Sequence, residues 1–439
     1  MGTNAISSLN KDAHLLQMSS VPRRTLKILV VMHKILGHEL DAESELRQYV
    51  ALAELGHQVT CVFPRTSQSR GFVVDRPRFK LETVLLRKVV PVLSLVLFES
   101  IACWRVLRLI GDCDGLILDV HSIPALCPLI LSRRIFSRSP VLLLRVPTNP
   151  VETSGHLRGL RLSFLYTLSI KIAAVLFDKI LFISPMLGQL YSHQLGIPRN
   201  KIAVWPSPVD TVVFAPRSKA KTKYLREQLG LTARLGVLYH GLLTRGRGIM
   251  DVVEAFKLLK EMSVDASLIL LGDGPLRGHI SRYVQANRLE KTIQMCGPVE
   301  YVQVPDYVAA CDVGIVALPD HPWWRYQCPT KVLENLAMNK PLIISDIPAN
   351  RWIVRDAPVA LYLKGTSPHD IADGVRSFMV NRDTLDPSLG RRIALDFSVE
   401  NIAKMLVHHI LSVMTRTAQP GERLANKDRT LNTNSLSHA

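Results

Sequence analysis

Between Cys328 and Leu342 the chain reads CPTKVLENLAMNKPL. Its apolar spacing predicts an amphipathic helix over Lys331–Met338, and Pro341–Ser345 follows at once as a buried-strand run. Glu334 is the one acidic residue of that helix and shares a face with Lys331 and Met338 near the first turn. The start of a helix carries unpaired N–H groups and positive dipole charge, which suit phosphate oxygens. A carboxylate there cannot hold the phosphate, but it can accept hydrogen bonds from hydroxyls of an attached sugar. The plainer alternative is a first-turn Glu stabilised by the dipole.

A second group lies upstream, in Tyr239–Gly248 (YHGLLTRGRG). Gly241 ends a predicted strand, and Arg245, Gly246 and Arg247 follow in the loop. Glycine lets backbone N–H groups approach a diphosphate, and a guanidinium can bind two oxygens at once. The plainer reading makes both arginines solvated loop charges. Gly272 and Gly274, in LGDGP, mark another strand-to-helix turn at the same predicted edge. Asp119 and His121 stand at the end of a strand in the other half of the chain, where side chains project toward a cleft. For His121 a helix-cap or core-edge role is the other reading.

These groups need elements to hold them, and the sequence alternates apolar runs with helical segments, twice over. In the first half strands are expected at Leu26–Met32, His57–Val62, Gly115–Val120, Val141–Val146 and Lys179–Ser184, with a helix from Asp41 to Leu55 ended by Gly56. After the basic stretch Pro216–Lys223 the pattern restarts, with strands at Leu235–His240, Ala266–Gly272, Ile293–Cys296, Val313–Ala317 and Pro341–Ser345. Helices are expected there at Gly248–Met262, Pro275–Ala286, Val304–Ala310 and Lys331–Met338. The fold class is therefore α/β, with two doubly wound Rossmann-like domains facing a central cleft. The expected layout is a disordered N-terminus over 1–24, a first domain over 25–215 and a second over 216–400. A C-terminal helix over 401–416 and a disordered tail over 417–439 complete it.

Length and composition agree, since 439 residues exceed one ordinary core and 47% hydrophobic content belongs to a globular chain. The net charge of +17 is spread along the chain: residues 1–216 hold 25 Lys/Arg against 15 Asp/Glu, and the remainder 29 against 22. No long Lys/Arg run, zinc-finger spacing or aromatic–basic RNA-binding signature goes with it, so no nucleic-acid partner is expected. A phosphorylated substrate or an anionic membrane surface remains. The seven cysteines, scattered and without a C-x-x-C pair, suggest reduced thiols, and the first 24 residues lack the apolar core of a signal peptide. Cytoplasmic placement follows, at the inner face of the membrane if the surface is used. Val89–Ile110 and Leu160–Ser184 are apolar but carry internal charges, so both read as domain helices rather than spans. The first could lie on a membrane surface.

On Tyr239–Gly248, Leu271–Pro275, Gly297, Ala310–Gly314 and Cys328–Leu342, the second half resembles the family 4 glycosyltransferases, which share the GT-B fold. In the first half the likeness covers the opening strand, Gly56–Val59, Asp178–Ser184 and the junction run Val204–Asp210 with Phe214. The resemblance implies sugar transfer from a nucleotide-diphosphate donor to a hydroxyl of a glycan or lipid-linked acceptor. It also implies retained anomeric configuration, no metal and no cofactor beyond the donor itself. It places Arg247 where the family has its loop Lys and puts Glu334 on the nucleotide ribose. The donor-binding candidates are thus Gly241, Arg247, Gly272, Gly274 and Glu334, with Arg245 as substitute for the missing first loop Arg. Lys331 either reaches a phosphate from the helix start or is solvated. Asp119 and His121, from their strand-end position, are the catalytic candidates. Three positions depart from the family pattern. The first Glu of its E-x₇-E pair falls at Tyr326, its acceptor-side His at Pro147, and its first loop Arg at Leu242. Asp320 and His321 either replace the missing carboxylate or form a surface turn before Pro322.

The single D-x-D, Asp112–Asp114, precedes a predicted strand and should face away from the cleft. No carboxylate pair suited to glycoside hydrolysis stands out. A sugar-nucleotide epimerase of the same fold, or a non-catalytic nucleotide-sugar binder, are the rival readings.

Overall fold

The computed structural model describes residues 24–32, 40–66, 76–86, 91–120, 140–148, 157–232 and 234–418. The expected disordered segments lie almost wholly outside that set. So does His121.

Two wholly parallel sheets organise the described residues. The first runs in the order β3-β2-β1-β4-β5-β6-β7. Its strands are β1 (Lys27–Val31), β2 (Gln58–Thr66), β3 (Phe79–Leu86), β4 (Gly115–Asp119), β5 (Val141–Val146), β6 (Lys179–Phe182) and β7 (Ile202–Val204). The second runs β10-β9-β8-β11-β12-β13. It is built from β8 (Leu235–His240), β9 (Ala266–Leu271), β10 (Ile293–Gly297), β11 (Val313–Val316), β12 (Leu342–Ser345) and β13 (Ala360–Leu363).

The central strands β4, β5, β8 and β9 are buried at every residue, which is why they read as continuous Val/Ile/Leu runs. Three strands escape sequence reasoning. β3 is an edge strand whose apolar run is broken by Lys80, Glu82 and Thr83, β7 has three residues, and β13 is half-exposed in its middle. Each lacks the long apolar run that marks a strand buried on both faces.

Asp112 and Asp114 stand at the N-terminal end of β4. Asp114 is spent there on Arg24 Nη2 at 2.8 Å and the backbone N–H of Lys27 at 2.9 Å.

The chain passes between the sheets twice, side by side. The Val209 N–H donates to the Phe397 carbonyl (2.8 Å), and the Val399 N–H returns the bond to Val209 (3.2 Å). The helix Val399–Ala418 then lies on the first sheet rather than the second. Ile402, Leu406 and Ile410 are buried there in one core with Leu46, Tyr49 and Trp205. Trp205 Nε1 donates to the Ile402 carbonyl (3.1 Å) and His409 Nε2 to that of Val204 (3.0 Å). Burial pulls the His409 imidazole down to about 4, so it packs neutral.

The helix Pro91–Leu109 packs Phe98, Ala102 and Val106 into the opposite face of the first sheet. The helix Leu157–Leu176 does the same with Tyr166, Ile170 and Ala173 and leads into β6. Among the described residues, no helix is long and apolar enough to cross a membrane.

Candidate active site

The carboxyl ends of β8 and β9 and the start of the helix Thr330–Ala337 form one rim. Gly241 follows β8 with φ +115 and hydrogen-bonds through its N–H to the Leu271 carbonyl (2.7 Å). A Cβ on Gly241 would stand 2.5 Å from Lys331 Cε, so glycine there lets the lysine cross the loop. Gly272 (φ +143) and Gly274 bring the β9 turn against the same loop. Their virtual Cβ atoms meet the Gly241 oxygen at 2.0 Å and the Leu243 oxygen at 2.5 Å. These glycines thus let two backbone turns lie in contact.

Two cations meet above this floor. The Lys331 ammonium sits 4.3 Å from the centroid of the Tyr239 ring. Burial first, then the Arg247 cation, holds its pKa well below the usual lysine value, while Glu334 acts in the opposite sense. Lys331 is thus half-buried against the Tyr239 ring rather than extended into solvent. Arg247 lies in a short 3₁₀ turn, its guanidinium 5.2 Å from the Trp324 ring centroid, and Trp324 Nε1 donates to the Gly246 carbonyl (2.7 Å). Trp324 thereby braces the loop. Arg245, in the same turn, is exposed.

Glu334 is one turn into its helix, as the spacing requires, and its Oε2 lies 2.8 Å from His240 Nε2. The pair is largely enclosed, with side-chain exposures of 8% for His240 and 13% for Glu334. Tyr301 shares this corner: burial foremost, then the Glu334 charge, raises its phenol far above the ordinary range.

Across the cleft, Arg145 of β5 places Nη1 2.5 Å from Glu45 Oε2 and 3.9 Å from Asp119 Oδ2. Asp119 and Arg145 are register neighbours, and all three side chains are buried. Asp119 is thus enclosed beside a cation rather than open to solvent.

Several contacts tie the two halves together. Ser184 Oγ donates to the Tyr326 carbonyl (2.6 Å), and Gln327 Nε2 donates to Thr148 Oγ1 (2.9 Å). Arg47 pairs with Asp210 (2.9 Å) and lies 4.5 Å from the Tyr301 ring centroid. Tyr326, where the family pattern has its first Glu, thus joins the two halves through its backbone carbonyl. Asp320 and His321 form the surface turn. Asp320 pairs with Arg325 (2.6 Å), and His321 Nδ1 accepts from the Trp323 N–H (3.2 Å).

His240, Tyr301, Arg47 and Trp324 were not among the residues picked from sequence. Only His240 carried a signal, as the last residue of a strand whose end faces the cleft. Among the described residues, no group of three or more His, Cys, Asp or Glu side chains is arranged to hold a metal ion.

Comparison with known proteins decides the family. Residues 47–213 match the profile of Glycosyltransferase Family 4, and residues 234–381 that of Glycosyl transferases group 1. The chain belongs to the family 4 glycosyltransferases. It is 25% identical over 178 residues to the alpha-D-kanosaminyltransferase of Streptomyces kanamyceticus, covering 40% of this chain and 43% of that one. It is also 25% identical over 236 residues to the putative teichuronic acid biosynthesis glycosyltransferase TuaC of Bacillus subtilis, covering 52% and 56%. The chain thus spans about half the length of these curated relatives.

Solved structures establish the GT-B fold. Sucrose-phosphate synthase from Thermosynechococcus elongatus superposes with a TM-score of 0.71 at 16% identity, covering 90% of this chain and 100% of that one. Anabaena HepE in complex with UDP-glucose does so with a TM-score of 0.66 at 15% identity, covering 88% and 99%.

Proposed function

We propose that the protein transfers a sugar from a nucleoside-diphosphate donor to a hydroxyl of a glycan or lipid-linked acceptor, with retention and without a metal. The observation that carries this reading is the meeting of Arg247, Lys331 and Glu334 on the glycine-built rim of the second sheet. Two cations and a helix start suit a diphosphate, and charge grows on that diphosphate as the sugar leaves. Fixed cations on a half-buried rim therefore lower the barrier, and they need no rearrangement at the moment of reaction. Glu334, one turn beyond the phosphate site, takes the ribose hydroxyls. The acceptor side is assigned to the ends of β4 and β5, where Asp119 and Arg145 sit and from which His121 follows. UDP-glucose in the HepE complex supports a nucleotide-sugar donor for this chain.

The test is a panel of UDP, GDP and ADP sugars, assayed for nucleotide release with and without glycan and lipid-linked acceptors. Acceptor-dependent release from one donor is the expected result. Glu334→Gln keeps one acceptor oxygen, so it should raise the donor KM more than it lowers kcat. Collapse of kcat at unchanged KM would make Glu334 a chemical group instead. Thermal stabilisation by a nucleotide sugar with no release under any condition would make the protein a binder.

The first domain is proposed to rest on an anionic membrane surface. The helix Pro91–Leu109 buries one face, while Trp104 and Leu107 on the other are each 46% exposed. Arg105 and Arg108 lie over the Trp104 ring, at 5.2 and 3.9 Å. An exposed indole flanked by guanidinium groups suits the headgroup boundary, where the ring enters and the cations meet phosphate. Co-sedimentation with vesicles containing phosphatidylserine is expected, falling as salt is raised and reduced in Trp104→Ala. Equal pelleting with neutral vesicles, or none with either, rejects it.

A further inference from the structure

We infer that His240 is a positioning residue for Glu334, and that the pair lets the enzyme tell a ribonucleotide donor from its 2′-deoxy counterpart. The inference rests on the reading that Glu334 meets the ribose.

His240 closes β8, buried to 6% exposure, with Nε2 2.8 Å from Glu334 Oε2. A carboxylate only accepts, so the ring must donate through an Nε2–H. That bond occupies one oxygen of Glu334 and leaves the other for hydroxyls. A glutamate has three side-chain torsions to fix, and ordering them costs entropy when the sugar arrives. The strand-borne imidazole removes most of that freedom in advance.

The other charged and titratable groups of the corner are occupied differently. Lys331 lies on the Tyr239 ring, and Arg247 lies toward Trp324. Tyr301 has Arg47 against its ring and a phenol raised by burial and by the Glu334 charge. The Nε2–H bond holds one carboxylate oxygen and leaves the other as an acceptor for the ligand. Vicinal 2′- and 3′-hydroxyls are the natural occupants of such an acceptor, and removal of the 2′-hydroxyl takes one bond away. If His240 were merely a satisfied core side chain, its loss would weaken both nucleotides alike.

The experiment is calorimetry of the full chain with UDP, GDP and ADP and with their 2′-deoxy forms. Wild type is expected to bind its preferred ribonucleotide at least about tenfold more tightly than the deoxy form, the size set by one hydrogen bond to a charged group. His240→Asn, too short to reach Oε2, should bring the ratio to within about twofold, with the smaller loss falling on the deoxy form, which has only the 3′-hydroxyl contact to lose. His240→Gln, whose amide N–H reaches where Nε2 stood, should restore most of the ratio. An intact ratio in His240→Asn, or equal loss for both nucleotides, overturns the inference. If the ratio falls in Glu334→Gln but not in His240→Asn, the ribose contact stands and only the role of His240 falls. If wild type binds none of the nucleotides, the donor reading fails and this one with it.

Discussion

Arg247→Ala is expected to weaken binding of the donor nucleoside diphosphate by about 1.5–3 kcal/mol, the range for hydrogen bonds to charged groups. In affinity this is about tenfold to 150-fold. The side chain is held in a 3₁₀ turn against Trp324, so little ordering is left to complete when the ligand arrives. Its neighbour Lys331 is partly destabilised as a cation by burial and by Arg247 itself. An arriving diphosphate relieves that repulsion, so both cations strengthen binding together. Arg245→Ala, at an exposed position of the same turn, should cost less, because its charge is already solvated. Calorimetry with the donor nucleotide decides the matter. Unchanged affinity in Arg247→Ala would remove the residue from the site, and a larger loss in Arg245→Ala would exchange their roles.

The second large effect is on stability. At Gly272 an added methyl would lie 2.0 Å from the Gly241 oxygen and 2.9 Å from its carbonyl carbon, with φ at +143. Both obstacles are backbone, so no side-chain rotation relieves them. Strain of about 1–3 kcal/mol for the dihedral and a similar cost for displacing the packed turn combine to about 3 kcal/mol or more. For a domain of this size that lowers the melting temperature by about 6–12 °C. Donor binding should fall as well, because Gly241 and the Arg247 loop move with the displaced turn. Gly278→Ala is the control. It lies in the helix Arg277–Ala286, with nothing within 4 Å of an added Cβ, and should be neutral or slightly stabilising. A Gly272→Ala protein that melts with wild type would mean the two turns separate at little cost, and the rim would not be rigid.

Much of this architecture is legible in the chain because it is local. The runs that become β4, β5, β8 and β9 are apolar at nearly every position, a demand made only of strands covered on both faces. The glycines at 241, 272 and 274 announce turns too tight for a side chain, and the order of the motifs announces the family. Lys331 and Glu334 fall on one helix face by spacing alone.

Contact across the sequence is another matter. His240 and Glu334 are 94 residues apart, and Ser184 and Tyr326 are 142 apart. No periodicity links them, since their meeting depends on how strand ends and helix starts converge after the sheets form. Asp119 looked like a group open to the cleft because strand-end position says nothing about the Arg145 and Glu45 side chains that enclose it. The helix Val399–Ala418 reads as amphipathic from its sequence, yet its apolar face is covered by the first domain rather than the second. Periodicity shows that a face must be buried. Only the tertiary structure decides against what.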